Sequence, residues 1–209
     1  MPTTDIIAVP VAAGSNIAQL LKSYRDKISR LAGFQACEYG LSVEHPDLLE
    51  VFNTWDSLSH IEASEQEPDN SAAAAINEII TAEPFYPSAQ RINFEPAEGL
   101  LKALGAPVTE IATFYFEGTP SDEYLAGVCV FQSAVKAEVD SGPLASAAGM
   151  THAEVERDGV KGKAVKLVIG WESVERHNEF RKTKAYKENI ALLAKGPNKI
   201  EMHHVAFQH

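Results

Sequence analysis

Cysteine is nearly absent from this chain: the only two, Cys37 and Cys129, stand far apart. At that separation they form neither a disulfide framework nor a zinc motif, so a reducing compartment is the default. No apolar run approaches the ~20 residues that a membrane-spanning helix needs. The N-terminus, Met1-Pro2-Thr3-Thr4-Asp5, has no basic segment followed by an apolar one, so no secretory signal is read there. Basic charge is in deficit, with 18 Lys and Arg against 29 Asp and Glu and a net charge of −11. That balance disfavours nucleic acid and anionic membrane as partners. Gly-rich phosphate loops, Ser-His-Asp arrangements and paired-Cys motifs are missing, and there is no nucleotide-cofactor fingerprint. These exclusions lead to an expected cytoplasmic protein with no nucleic-acid or membrane partner.

What is present is ordinary globular material, 45% hydrophobic and 22% charged. The length of 209 residues fits one large domain or two small ones. Ile6 to Val11 reads as a strand. Asn16 with Gln19 three residues on forms a plausible capping box. Ile17, Leu20, Leu21, Tyr24, Ile28 and Leu31 then follow at helical spacing. Strands are expected over Phe34 to Glu44 and Leu48 to Trp55, separated by the turn His45-Pro46-Asp47. Helices are expected over Asp56 to Glu65 and Ala72 to Ala82, stopped by Pro84 and Pro87, and Arg91 to Phe94 closes as a strand. The order is β-α-β-β-α-β, a ferredoxin-like arrangement.

The order then repeats. Glu110 to Glu117 reads as a strand, and Thr119 with Pro120 as a helix start. Tyr124, Leu125, Val128, Phe131 and Val135 form the apolar stripe of that helix. Strands are expected over Thr151 to Arg157 and Ala164 to Trp171, turning at Asp158-Gly159. Helices from Val174 to about Lys195 end at Gly196-Pro197, and Ile200 to Gln208 is the last strand. Residue identities support a duplication. Trp55-Asp56-Ser57-Leu58 recurs as Trp171-Glu172-Ser173-Val174, and Asp5-Ile6-Ile7-Ala8 as Glu110-Ile111-Ala112-Thr113. The expected organisation is a first repeat over 1–96, a linker over 97–108 with a short helical piece, and a second repeat over 109–209. The fold class read from this is α+β: two ferredoxin-like repeats packed sheet to sheet, because an apolar sheet face left bare by its helices must be covered.

Trp171, Glu172, Ser173, Glu175 and His177, then Phe180, Tyr186 and the closing strand His203-His204-Val205-Ala206-Phe207, carry a family resemblance. With their weaker counterparts in the first half, they resemble the antibiotic-biosynthesis-monooxygenase family of the dimeric α+β barrel superfamily, in a tandem form. The quinone-forming members have an Asn four residues before the strand Trp. Here those positions are Val51 and Leu167, and Asn53 stands two before Trp55. The resemblance implies a cofactor-independent enzyme acting on a small aromatic or polyketide-like metabolite, by monooxygenation. Cyclisation on the same fold, or non-catalytic binding of a hydrophobic ligand, are the alternatives. A tandem chain of this kind completes its own barrel, as a monomeric pseudo-dimer or within a homodimer.

Five of the seven histidines, His152, His177, His203, His204 and His209, lie in the second half, so the working pocket is expected there. His177, six residues past Trp171, is a candidate general base, as is His204; imidazole titrates near neutrality. Tyr115 is the candidate that donates a proton to a substrate oxygen. Trp171 and Trp55 end equivalent strands and read as aromatic walls or as core anchors. His203, His152 and Phe131 complete the candidate substrate-binding set. His152 and His203 lack an accompanying carboxylate pattern, so no metal is expected, and the resemblance implies that no cofactor is needed. Arg176, Arg181, Lys182, Lys184 and Lys187 form a basic stretch that reads as attraction for an anionic substrate or as a solvated helix face.

Overall fold

The computed structural model describes residues 1–12, 14–66, 90–138 and 142–208. The chain divides into two compact units, Met1–Asn93 joined by Gln208 from the end of the chain, and Phe94–Phe207. Among the described residues no helix is long and apolar enough to cross a membrane.

The first unit runs β1 (Thr3–Pro10), α1 (Ile17–Ile28), β2 (Phe34–Ser42), β3 (Leu48–Trp55), α2 (Leu58–Glu65) and β4 (Gln90–Ile92). Its strands pair antiparallel in the order β4-β1-β3-β2. Asn16 caps α1 as its sequence predicts, its Oδ1 accepting from the Gln19 amide at 3.1 Å. Of the α1 stripe, Ile17, Leu21, Tyr24 and Ile28 are buried. They meet Val9, Leu49, Val51 and Trp55 on one face of the sheet. The helix expected over Ala72 to Ala82 lies outside the described residues.

The second unit opens with α3 (Ala97–Leu104). It continues through β5 (Val108–Tyr115), α4 (Asp122–Lys136), β6 (Ala145–Met150), a hairpin of β7 (Val155–Arg157) and β8 (Val160–Gly162), and β9 (Ala164–Trp171). Then come α5 (Val174–Phe180), α6 (Lys184–Asn189), α7 (Ala191–Ala194) and β10 (Lys199–Gln208). Its sheet order is β10-β5-β9-β6, again antiparallel. In both units the strands therefore lie fourth, first, third, second, the ferredoxin-like order. Every residue of β3, β5 and β9 is buried, including polar ones such as Glu50, Asn53, Glu110 and Lys166.

Two expectations are corrected in the second unit. The strand beside β9 is Ala145–Met150, not Thr151 to Arg157, whose end instead folds into the β7–β8 hairpin. The sequence Ala-Ser-Ala-Ala-Gly-Met has weak strand propensity, which hid it. Its small side chains have a use, because α3 packs closely on it: a Cβ on Gly99 would lie 2.3 Å from the Ser146 carbonyl oxygen. The short helical piece expected within 97–108 is α3, which buries Leu100, Ala103 and Leu104 and seats Ala103 against Gly170 of β9. The α4 cap is Ser121, whose hydroxyl accepts from the Tyr124 amide, and not Thr119. The Asp158-Gly159 turn is formed as read, with φ of 50° and 83°.

Candidate functional site

Strand alternation places Glu110, Ala112 and Phe114 of β5 on the same sheet face as Leu167, Ile169 and Trp171 of β9. Ile200, Met202 and His204 of β10 pair with Phe114, Ala112 and Glu110 and share that face. Helices α4 to α7 cover it. Between them lies a cavity of about 210 Å³. Its walls are apolar and aromatic, including Phe131 from α4, Phe180 from α5 and Tyr186 from α6. Its polar lining groups include Glu110, His177 and Arg181, beside the Tyr186 hydroxyl.

α5 positions the imidazole. Ser173 caps it, its hydroxyl accepting from the Arg176 amide at 3.2 Å, and so fixes the turn that carries His177. The His177 ring stacks on Trp171, with centroids 5.0 Å apart and planes 17° apart. Its Nε2 lies 3.4 Å from Glu110 Oε2. Its Nδ1 lies 2.9 Å from His204 Nε2. The Trp171 indole N–H donates to the same Glu110 oxygen at 3.0 Å. Glu110, His177 and His204 are all buried.

Two proton arrangements satisfy this array. In one, His204 donates to His177 Nδ1 and His177 Nε2–H donates to an ionised Glu110. In the other, a protonated Glu110 donates to Nε2 and His177 Nδ1–H donates to His204. With the His204 Nδ1 protonated in both, so that His204 carries the positive charge in the first, one proton moved along each bond interconverts them, and the three side chains form a relay that ends on the cavity. Burial raises the Glu110 carboxyl above the ordinary carboxylate range, while the Trp171 N–H and the nearby His204 and Arg181 hold it down. A raised carboxyl favours proton exchange nearer neutrality than a free glutamate would allow. The geometry is a chain rather than a chelate, because His204 meets the nitrogen of His177 that faces away from Glu110.

Of the residues singled out in the sequence, His177, His204, Trp171 and Phe131 come together here. Four others do not. Tyr115 and His203 fall on the opposite sheet face, and the Tyr115 hydroxyl donates to Glu201 at 3.1 Å. His152 is exposed beyond β6. Trp55 belongs to the core of the first unit. Glu110 was missed as a site residue. Its signal was available in the repeat alignment, which sets an acid, Asp5 or Glu110, at the same place in both first strands.

No family model matches the chain, and no curated protein matches it in sequence. Solved structures do match in fold. A candidate monooxygenase from Fusobacterium nucleatum superposes with a TM-score of 0.64 at 10% identity, covering 100% of this chain and 93% of its own. One from Lactobacillus acidophilus gives 0.60 at 11% identity, over 99% and 93%. An anthrone oxidase-like protein gives 0.58 at 13% identity, over 100% and 92%. The α+β fold of this chain is shared with these proteins.

Proposed function

We propose that the second unit binds a small aromatic, polyketide-like metabolite and oxygenates it without a cofactor. The observation that carries this reading is the buried Glu110–His177–His204 relay opening into an aromatic-walled cavity. Monooxygenase-like proteins of the same fold support it. The relay takes the hydroxyl proton of a hydroxyarene. The electron-rich anion then reacts with O₂ at a ring carbon, forming a C–O bond to a peroxide anion that the relay protonates to the hydroperoxide. The ring C–H proton passes to the relay as the O–O bond breaks, and the leaving hydroxide takes a proton back from the relay to depart as water, which leaves a quinone. One oxygen atom enters the product, the other leaves as water, and the substrate supplies all the electrons. The Trp171 and His177 rings form part of the wall, and a site walled by Phe114, Phe131 and Phe180 excludes bulk water from the anion.

The test is oxygen uptake with dihydroxynaphthalenes and anthrones, wild type against Glu110→Gln and His177→Ala. Uptake by the wild type that falls about 10²-fold or more in both variants supports the reading, the usual scale for a positioned acid–base group. Ligand binding without uptake would replace it with cyclisation or plain binding.

A further inference from the structure

Arg181 shares the cavity with the relay. It stands one turn beyond His177 at the end of α5, and its amide donates to the His177 carbonyl at 3.1 Å, so the two side chains leave one face of the helix. Its guanidinium lies 6.0 Å from the Tyr186 ring centroid, and the residue is exposed enough to keep its charge solvated. Other cations of the basic stretch are engaged by acids: Arg176 pairs with Glu172 and Glu179, and Lys184 with Glu188. Arg181 forms no such pair among the described residues, yet its charge reaches Glu110 and helps to hold that carboxyl down against desolvation. The other ionisable groups facing the cavity are Glu110 from β5, His177 from α5 itself and Tyr186 from α6, with His204 of β10 behind His177. The lining from β9, α4 and α7 carries no ionisable side chain. Among these described groups Arg181 alone keeps a positive charge at every working pH.

Resting on the function proposed above, we infer that Arg181 supplies the fixed positive charge that stabilises the substrate anion. Before proton transfer the negative charge sits on Glu110. Afterwards it sits on the substrate oxygen, and then on the peroxide. An unpaired charge is costly against apolar walls. A cation beside the relay favours the anion at each of these stages, without having to reorient as the charge moves. The imidazoles cannot hold that place, because their charge comes and goes with the relay proton. Arginine does not give up its proton.

Spectrophotometric titration of 4-nitro-1-naphthol bound to the full chain tests this, because the naphthol and its anion absorb at different wavelengths. The pH midpoint at which the bound ligand ionises is read in the wild type, Arg181→Met, Arg181→Lys and Lys182→Met. Arg181→Met is expected to raise that midpoint by about one pKa unit, a tenfold loss in the ionisation equilibrium and the low end of the scale for a nearby opposite charge. Arg181→Lys keeps the charge and moves the midpoint less. Lys182→Met, exposed beside it and outside the cavity lining, leaves the midpoint in place. A residue that only shapes the end of α5 would change affinity without moving the midpoint. The same midpoint in wild type and Arg181→Met, or an equal rise in Arg181→Met and Arg181→Lys, overturns the inference. In that case oxygen uptake that is lost in Glu110→Gln leaves the proposed function standing. Failure of the nitronaphthol to bind the wild type also overturns the inference, and absence of uptake from the dihydroxynaphthalenes as well sinks both.

Discussion

The two units place different side chains on one backbone frame. In the first, Asp5 of β1 faces Arg91 of β4; in the second, Glu110 of β5 faces His204 of β10. Trp55 and Trp171 close the third strands, and Ile61 stands where the second unit has His177. Asp5 and Arg91 are 3.5 Å apart, and Arg91 also pairs with Glu65. The first unit therefore holds a fixed ion pair against an apolar helix residue. Arginine does not give up its proton, so no relay can form there. The second unit replaces arginine and isoleucine with two imidazoles, and a chain of exchangeable protons results. The tryptophans diverge for the same reason. Glutamate is one methylene longer than aspartate, and Trp171 bonds it, whereas the buried Trp55 indole N–H has no acceptor among the described residues. The lesson is that, on one strand order, two or three side-chain differences separate a fixed ion pair from a chain of exchangeable protons.

This contrast can be broken at three points. The largest effect is expected at Asp5, whose carboxyl burial raises from 3.8 to about 6. A raised carboxyl binds its proton more tightly when folded. Its contribution is full below the unfolded value and is lost as pH climbs through about 6. Asp5→Asn removes that titration, so its stability relative to wild type should improve by up to ~3 kcal/mol between about pH 3.5 and about pH 8, as measured by denaturant unfolding. A gap that stays flat with pH contradicts the buried assignment. Next come the tryptophans. Trp171→Phe and Trp55→Phe lose similar apolar area, but only the first strands a buried partner, so it should cost about 1–3 kcal/mol more. Equal midpoints in chemical denaturation would show that the Trp171–Glu110 bond contributes nothing. The smallest contrast is at the equivalent serines. Ser173 caps α5, whereas the Ser57 hydroxyl makes no cap bond to α2 and meets His60 Nδ1 instead, at 3.0 Å. Ser173→Ala should cost about 1 kcal/mol and Ser57→Ala a few tenths, read as a difference in thermal midpoint.

Much of this frame was legible because its signals are local. The α1 cap, the Asp158-Gly159 turn and the strands ending at Trp55 and Trp171 rest on residues whose own chemistry sets the backbone. The repeat of Trp-acid-Ser carried the topology. β6 was not legible, since its alanines and glycine answer to the close approach of α3 and not to any strand preference. In the site, His177 and His204 were found as titratable groups on an apolar background. The link between them was not found, because a helix residue and a strand residue meet only through the tertiary fold. Tyr115 was read as a site residue because β5 carries aromatic and aliphatic residues in both phases, Phe114 in one and Ile111 and Tyr115 in the other, which erases the alternation that would have separated Tyr115 from Phe114.

The close seat of α3 on Gly170 and Ser146 also determines where this chain can be cut. The second unit is delimited at Phe94, well ahead of the strand that begins its repeat. A fragment begun at residue 109 leaves out Leu100, Ala103 and Leu104 and uncovers the small-residue surface of β6 and β9 that they shield, a bare apolar patch of the kind that drives aggregation. An expression boundary or a domain graft drawn before Phe94 keeps that surface sealed.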